Sequence, residues 1–225
     1  MHRRGAFCLP VLAFLALSCA PAPQDLVSKG KAYYQASNCR ACHRIGAEGA
    51  AGGPDLTLVG MRQGQAWLDL WLKDPAAWRP QTTMANPGLS APARQAIVAY
   101  LASLKGQDWS KKPWEDAPAS AARGKLIYQH AGCASCHGPN GAGGNPNNNV
   151  PGGKIPALDS VSQTFTKEEL KNKVRLGARP QKADPAGPEP LVAMPAWKAL
   201  LTEDELGDVV EYLFTLRSAK PDAGW

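Results

Sequence analysis

The chain has 225 residues, 44% of them hydrophobic and 20% charged, which is enough apolar material for one large core or two small ones and too much for wholesale disorder. Its 22 glycines and 20 prolines imply many turns and short elements rather than a long regular bundle, and six cysteines are too few for a disulfide scaffold. The formal charge of +6 is spread along the chain, without the basic cluster of a nucleic-acid binder.

Residues 1–18 read as a leader. His2, Arg3 and Arg4 precede an apolar run from Ala6 to Leu17 that is too short to span a bilayer as a mature helix. The run ends in Ala16-Leu17-Ser18-Cys19. This resembles a bacterial lipoprotein signal cleaved before Cys19, whose thiol then takes the lipid, although Ala16 stands where such signals usually carry Leu. The alternative is an ordinary cleaved leader with Cys19 incidental. Residues 19–25 follow as an extended Ala-Pro tether. The expectation is an exported protein on the periplasmic side of a bacterial membrane, attached through its N-terminal lipid.

Gly30-Lys31-x-x-Tyr34 reads as a short helix leading into Cys39-Arg40-Ala41-Cys42-His43, and Gly124-Lys125-x-x-Tyr128 leads at the same spacing into Cys133-Ala134-Ser135-Cys136-His137. Both motifs are C-x-x-C-H, the attachment pattern of c-type haem. Two thiols three residues apart lie on one turn and can each add to a vinyl group on one porphyrin edge. The next residue, His43 or His137, then presents its imidazole to the iron. A zinc site needs four ligands in one cluster, and each copy offers three. A thioredoxin-like C-x-x-C would sit on a βαβ pattern, which is absent.

The motifs lie 94 residues apart, and their surroundings repeat. In the first half a helix includes Trp67 to Leu72. Another, opened by Ser90 with Pro92 in its first turn, continues through Gln95–Leu104 and carries Tyr100. Residues 106–118 form a linker in which Trp109 and Trp114 are expected to pack, making it ordered. In the second half, Thr166-x-x-Glu169 is a capping box opening a helix that stops near Gly177. Thr202-x-x-Glu205 opens the last helix, through Leu216, with Tyr212 on it. Apolar residues recur at the helix period and no strand alternation appears. The expected fold is all-α: a first domain over 26–105, the ordered linker, and a second domain over 119–220.

In this order and spacing the chain resembles the two-domain, di-haem class I cytochromes c over nearly all of residues 26–217. The first half supplies Gly53-Pro54-Asp55-Leu56, and Lys73-Asp74-Pro75 before Thr82-Thr83-Met84. The second supplies Gly138-Pro139-Asn140-Gly141, Ile155-Pro156-Ala157-Leu158 and Val192-Ala193-Met194-Pro195. The resemblance implies two tandem class I domains and two covalently bound haem c groups. These are attached at Cys39 and Cys42 and at Cys133 and Cys136, with iron held by His43 and Met84 and by His137 and Met194. Met61 is the rival to Met84, falling sooner after its histidine. The resemblance also implies that the backbone carbonyl of Pro54 orients His43 and that of Pro156 orients His137, with Pro151 as the competitor for the second. Arg62 takes the place of the family's haem-propionate partner, against the alternative of a solvated surface arginine. His130 is read as exposed.

The function implied is a relay of single electrons between a redox protein donor and an acceptor, with no catalysis of its own. A quinol-oxidising or terminal oxidase complex of a respiratory or photosynthetic chain would serve, with the protein free or as a subunit. The alternatives are a di-haem peroxidase or a haem-based ligand sensor. Each needs a displaceable sixth ligand, which two well-placed methionines argue against. Residues 25–108 carry nine basic and six acidic side chains and residues 109–225 carry fourteen and thirteen, so net charge steers partners weakly. The run Lys167, Lys171, Lys173, Arg175 and Arg179 is either a solvated helix face or a docking patch. Gly141–Asn149 and Ala178–Glu189, which carry the extra length of the second half, are either surface insertions or partner contacts.

Overall fold

A computed structural model describes residues 23–107 and 110–216. The leader, Cys19 and Trp109 lie outside the described residues. The helices are α1 (Pro23–Ala36), α2 (Val59–Arg62), α3 (Gln65–Lys73), α4 (Pro75–Trp78), α5 (Ala91–Ser103), α6 (Ala121–His130), α7 (Cys133–His137), α8 (Val161–Thr164), α9 (Lys167–Leu176) and α10 (Glu203–Thr215). Among the described residues there is no strand, only three isolated bridges. α1 begins inside the segment expected as a tether. Pro23 suits a first helical turn, and Asp25 sits at the positive end of the helix and pairs with Lys29 at 2.7 Å.

Each half is organised by the crossing of its first and last helices. An ideal Cβ on Gly30 of α1 would stand 1.9 Å from the Ala96 carbonyl oxygen of α5, and one on Gly124 of α6 would stand 1.9 Å from that of Asp208 on α10. Only glycine lets two helix backbones approach this closely. Beside each crossing two tyrosines meet, Tyr34 with Tyr100 at 5.6 Å between ring centroids and Tyr128 with Tyr212 at 5.3 Å. Leu68 and Leu72 are buried on α3, alongside the α5 residues Ile97, Val98 and Leu101 in the first core.

The last helices start as the sequence suggests. Thr166 with Glu169 and Thr202 with Glu205 both form complete capping boxes, and Gly177, at φ 73°, ends α9. Ser90 precedes α5, but its side chain makes no capping bond. The basic residues of α9 meet partners in the same half. Lys167 pairs with Glu211 at 2.7 Å, Lys171 with Glu203 at 3.0 Å, and Lys173 lies over the Phe165 ring.

Residues 110–118 strap onto the second half. Trp114 is fully buried, and its indole Nε1–H donates to Glu205 Oε1 at 2.7 Å. Lys112 Nζ donates to both Glu205 oxygens, at 3.1 and 2.9 Å, and to the Leu200 carbonyl at 3.0 Å. Burial pushes the Glu205 carboxyl up. Hydrogen bonds from the Thr202 backbone, Lys112 and Trp114 outweigh that and hold it below the ordinary carboxylate range.

The halves interlock through α2. Leu58, with no exposed surface, and Met61 belong to the second half's core cluster, together with Trp114, Ile127, Cys133 and Ala134. α2 is nevertheless fixed to the first half. Gly60 N–H donates to Leu104 O at 2.9 Å, and a Cβ on Gly60 would stand 2.3 Å from Ala102 O.

The two inserts of the second half are stapled to each other. Asn147 exchanges hydrogen bonds with Val192 (Nδ2 to O 2.9 Å, N to Oδ1 3.1 Å). Asn148 reaches the Glu189 carbonyl and accepts from Leu191 N–H. Asn149 reaches the Asp184 and Pro188 carbonyls and accepts from Asp184 N–H. A run of turn-forming asparagines is thus the frame of the loop that leads to Met194.

Candidate functional site

Each C-x-x-C-H segment is launched by a residue in the left-handed region, Asn38 (φ 53°, ψ 31°) before Cys39 and Gly132 (φ 87°, ψ 24°) before Cys133. Asparagine and glycine tolerate that conformation best. The first motif forms a tight turn over Cys39–Ala41 and the second forms α7. In both, the two thiols share one turn and the histidine follows. Cys42 is exposed, whereas Cys39, Cys133 and Cys136 are partly covered.

The histidines are held alike. His43 Nδ1 lies 2.8 Å from the Pro54 carbonyl oxygen and His137 Nδ1 lies 3.2 Å from that of Pro156. A carbonyl can only accept, so each Nδ1 carries the proton and Nε2 keeps a free lone pair, the tautomer that ligates a metal. Pro156 rather than Pro151 takes this place. Burial lowers the His137 pKa, against the opposing effect of the Pro156 bond. Gly53 fits against the first imidazole so closely that a Cβ would stand 2.6 Å from Cε1.

The candidate sixth ligands are both half-buried. Met84 packs against the first core, and the Trp71 indole N–H donates to its sulfur at 3.0 Å. Trp71 is itself stacked on Trp67, with centroids 5.2 Å apart and planes 10° apart. Met194 is anchored by mutual backbone bonds with Ala178, 3.0 Å each way. Met61 points its bulk into the other half's core, away from the role of rival ligand. Trp71 was not marked by the sequence as a functional residue. Its only signal was its position four residues after Trp67 on one helix.

A model of the cytochrome c family matches residues 27–105 and 121–217. The chain belongs to the cytochrome c family. Its two domains therefore take covalently bound haem c, and the residues of this cytochrome suit the group. The thiols are paired on single turns, each histidine directs its Nδ1 rather than its Nε2 to a carbonyl, and among the described residues the Tyr34 hydroxyl, Arg62 Nε and Gln63 Oε1 are buried without hydrogen-bond partners.

Over 91 residues the cytochrome is 32% identical to cytochrome c oxidase subunit 2 of Alkalihalophilus pseudofirmus. That alignment covers 36% of this chain and 27% of the subunit, so the chain spans about a quarter of the curated relative it matches. A chain of the reducing HAO-like protein complex of Kuenenia stuttgartiensis superposes with a TM-score of 0.29 at 17% identity, covering 84% of this chain and 96% of that one. That superposition is too loose to carry an argument.

Two sequence expectations need correction. Arg62 is only 6% exposed, so it is not a solvated surface residue. Nη2 donates to Asp55 O and Nη1 to Ala131 O of the other domain, each at 2.8 Å, each nitrogen keeping a second N–H, and Nε has no partner among the described residues. The cause is the interlock of α2 with the second domain. His130 is half-buried rather than exposed, lining a cleft with Arg44, Asp55, Lys111 and Pro113. Gln63, whose Nε2 lies 3.8 Å from Cys136 Sγ, carries no motif or periodicity that would mark it in the sequence.

Proposed function

We propose that this cytochrome c relays single electrons between two redox proteins through two haems, without catalysis of its own. It is exported and held on the periplasmic side of a bacterial membrane by a lipid on Cys19. Haem iron, when bound, supplies one-electron chemistry whose potential follows its axial ligands and burial. The observation that carries the reading is the repeated histidine geometry, with Nδ1 tied to a proline carbonyl at 2.8 and 3.2 Å and a methionine on the loop before the last helix of each domain. Cys39 with Cys42 and Cys133 with Cys136 hold the porphyrins. With haem bound, His43 with Met84, and His137 with Met194, would hold the two irons, and a relay of this kind needs no substrate site. Fixed ligands also mean little rearrangement when the oxidation state changes.

The 91-residue likeness to an oxidase subunit supports a respiratory partner, a quinol-oxidising complex on one side and a terminal oxidase on the other. Among the described residues no helix is long and apolar enough to cross a membrane, so within them nothing competes with the lipid as anchor.

The test is the oxidised, exported protein. It should show two added haem masses, the weak near-infrared thioether–ferric band at an intensity of two per chain, and slow, partial carbon monoxide binding on reduction. A high-spin resting spectrum, or fast and complete carbon monoxide binding at both centres, overturns the relay. Cys19→Ser should leave the spectrum intact and release the protein from membranes.

A further inference from the structure

Arg62 belongs to the first domain by sequence and by attachment, yet it serves the second. Its guanidinium lies against Gly132, the residue that launches the second C-x-x-C-H turn. A Cβ there would stand 1.9 Å from Nη1 and 2.4 Å from Cζ. Nη1 holds the Ala131 carbonyl, and the neighbouring Gln63 reaches Cys136 Sγ. On the other side Nη2 holds the carbonyl of Asp55, the residue after Pro54, whose own carbonyl orients His43. The positive charge is buried, and among the described residues no carboxylate pairs with it. The nearby Asp55 carboxylate is engaged by Thr57 N–H and Oγ1–H, at 2.8 and 2.5 Å. A guanidinium keeps its proton even so, and in a poorly screened setting its field falls on whatever sits beside it.

We propose that Arg62 is a positioning and tuning residue supplied by the first domain to the second haem, its buried charge raising the reduction potential of that haem above that of the first. The proposal rests on the two-haem relay reading. The step it biases is simple. One electron leaves the ferrous first centre, which becomes ferric, and reduces the ferric second centre. No bond forms or breaks and the guanidinium loses no proton. A fixed positive charge beside the second centre disfavours its ferric form, so the electron rests there.

The test is a spectroelectrochemical titration of the holoprotein carrying both haems, with the second haem's step identified by the fall that Met194→His produces. Arg62→Gln should shift the partition of one electron between the haems about tenfold toward the first, about 59 mV for a one-electron couple. Arg62→Lys, which keeps a charge, should largely preserve the native gap. Equal falls at both haems, a fall confined to the first, or an Arg62→Lys gap as collapsed as that of Arg62→Gln overturns the proposal. If Arg62→Gln does not fold, Arg62→Met, which keeps the bulk and drops the charge, takes its place with the same expected shift. Absence of the second haem mass in the native protein would sink the relay reading itself. Two haems with an unmoved gap would sink only the role of Arg62.

Discussion

Gly124→Ala tests the helix crossing on which the second domain is built. The added Cβ would stand 1.9 Å from Asp208 O and 3.0 Å from Tyr212 Cβ, whereas ordinary contact begins near 3.4 Å, so α6 and α10 would have to part by about 1.5 Å. The carbonyl is backbone and cannot rotate away, and the Tyr128–Tyr212 pair would part with it. Overpacking of this kind costs about 1–3 kcal/mol. This outweighs the gain of up to about 1 kcal/mol that alanine brings to a helix interior. For a domain of this size each kcal/mol is worth about 4–8 °C of melting temperature. The control lies on the partner helix. Gly207 of α10 has open space where its Cβ would be, so Gly207→Ala should raise the melting temperature by a few degrees. Gly30→Ala, facing Ala96 O, should repeat the loss in the first domain. The assay is calorimetry of the holoprotein with far-ultraviolet dichroism. A Gly124→Ala protein as stable as Gly207→Ala would refute the close-approach argument.

Three further outcomes follow from the geometry. Trp71→Phe removes a donor from the Met84 sulfur. A thioether no longer polarised by that bond favours ferric iron, so the first haem's potential should fall by about 20–60 mV, the full worth of one hydrogen bond placed on a single oxidation state; a rise would contradict this. Asn147→Ala orphans the Val192 N–H and carbonyl, at about 1–3 kcal/mol for each buried group left unpaired. The second haem's near-infrared band should then vanish at a lower temperature while the first persists, and unchanged melting of that band would mean the asparagine frame does not hold the Met194 loop. The lowered pKa of Glu205 means the unfolded chain binds a proton more readily than the folded one. Its contribution is therefore complete above the ordinary value of 4.5 and drains as pH falls through the lower folded pKa. Acid unfolding curves of Glu205→Gln should lack that segment.

What could be read from the sequence was what is local. The capping boxes at Thr166 and Thr202, the stop at Gly177 and the two C-x-x-C-H turns each depend on residues within a few positions of one another, so spacing alone exposes them. The pairing of Gly30 with Gly124 was visible as a repeat, although its reason, a carbonyl of a distant helix against the bare Cα, was not. The reach of Arg62 into the other domain is not legible because its partner Ala131 lies 69 residues away, and a family resemblance within one domain is silent about contacts between two. The asparagines at 147–149 close one of the two added segments of the second half, Asn148 and Asn149 standing in a turn. Their second use, bonding a loop about forty residues further on, leaves no periodic trace.

Trp114 has a consequence for how the chain can be divided. With its indole sealed beneath α10 and Lys112 clasping Glu205, the strap is a lid of the second half rather than a neutral joint. A fragment beginning at Ala119 would open a hole the size of an indole and strand a carboxylate at its rim. One beginning at Ser110 would carry its own closure, and would still present, at Leu58's vacated seat, the footprint of the missing half.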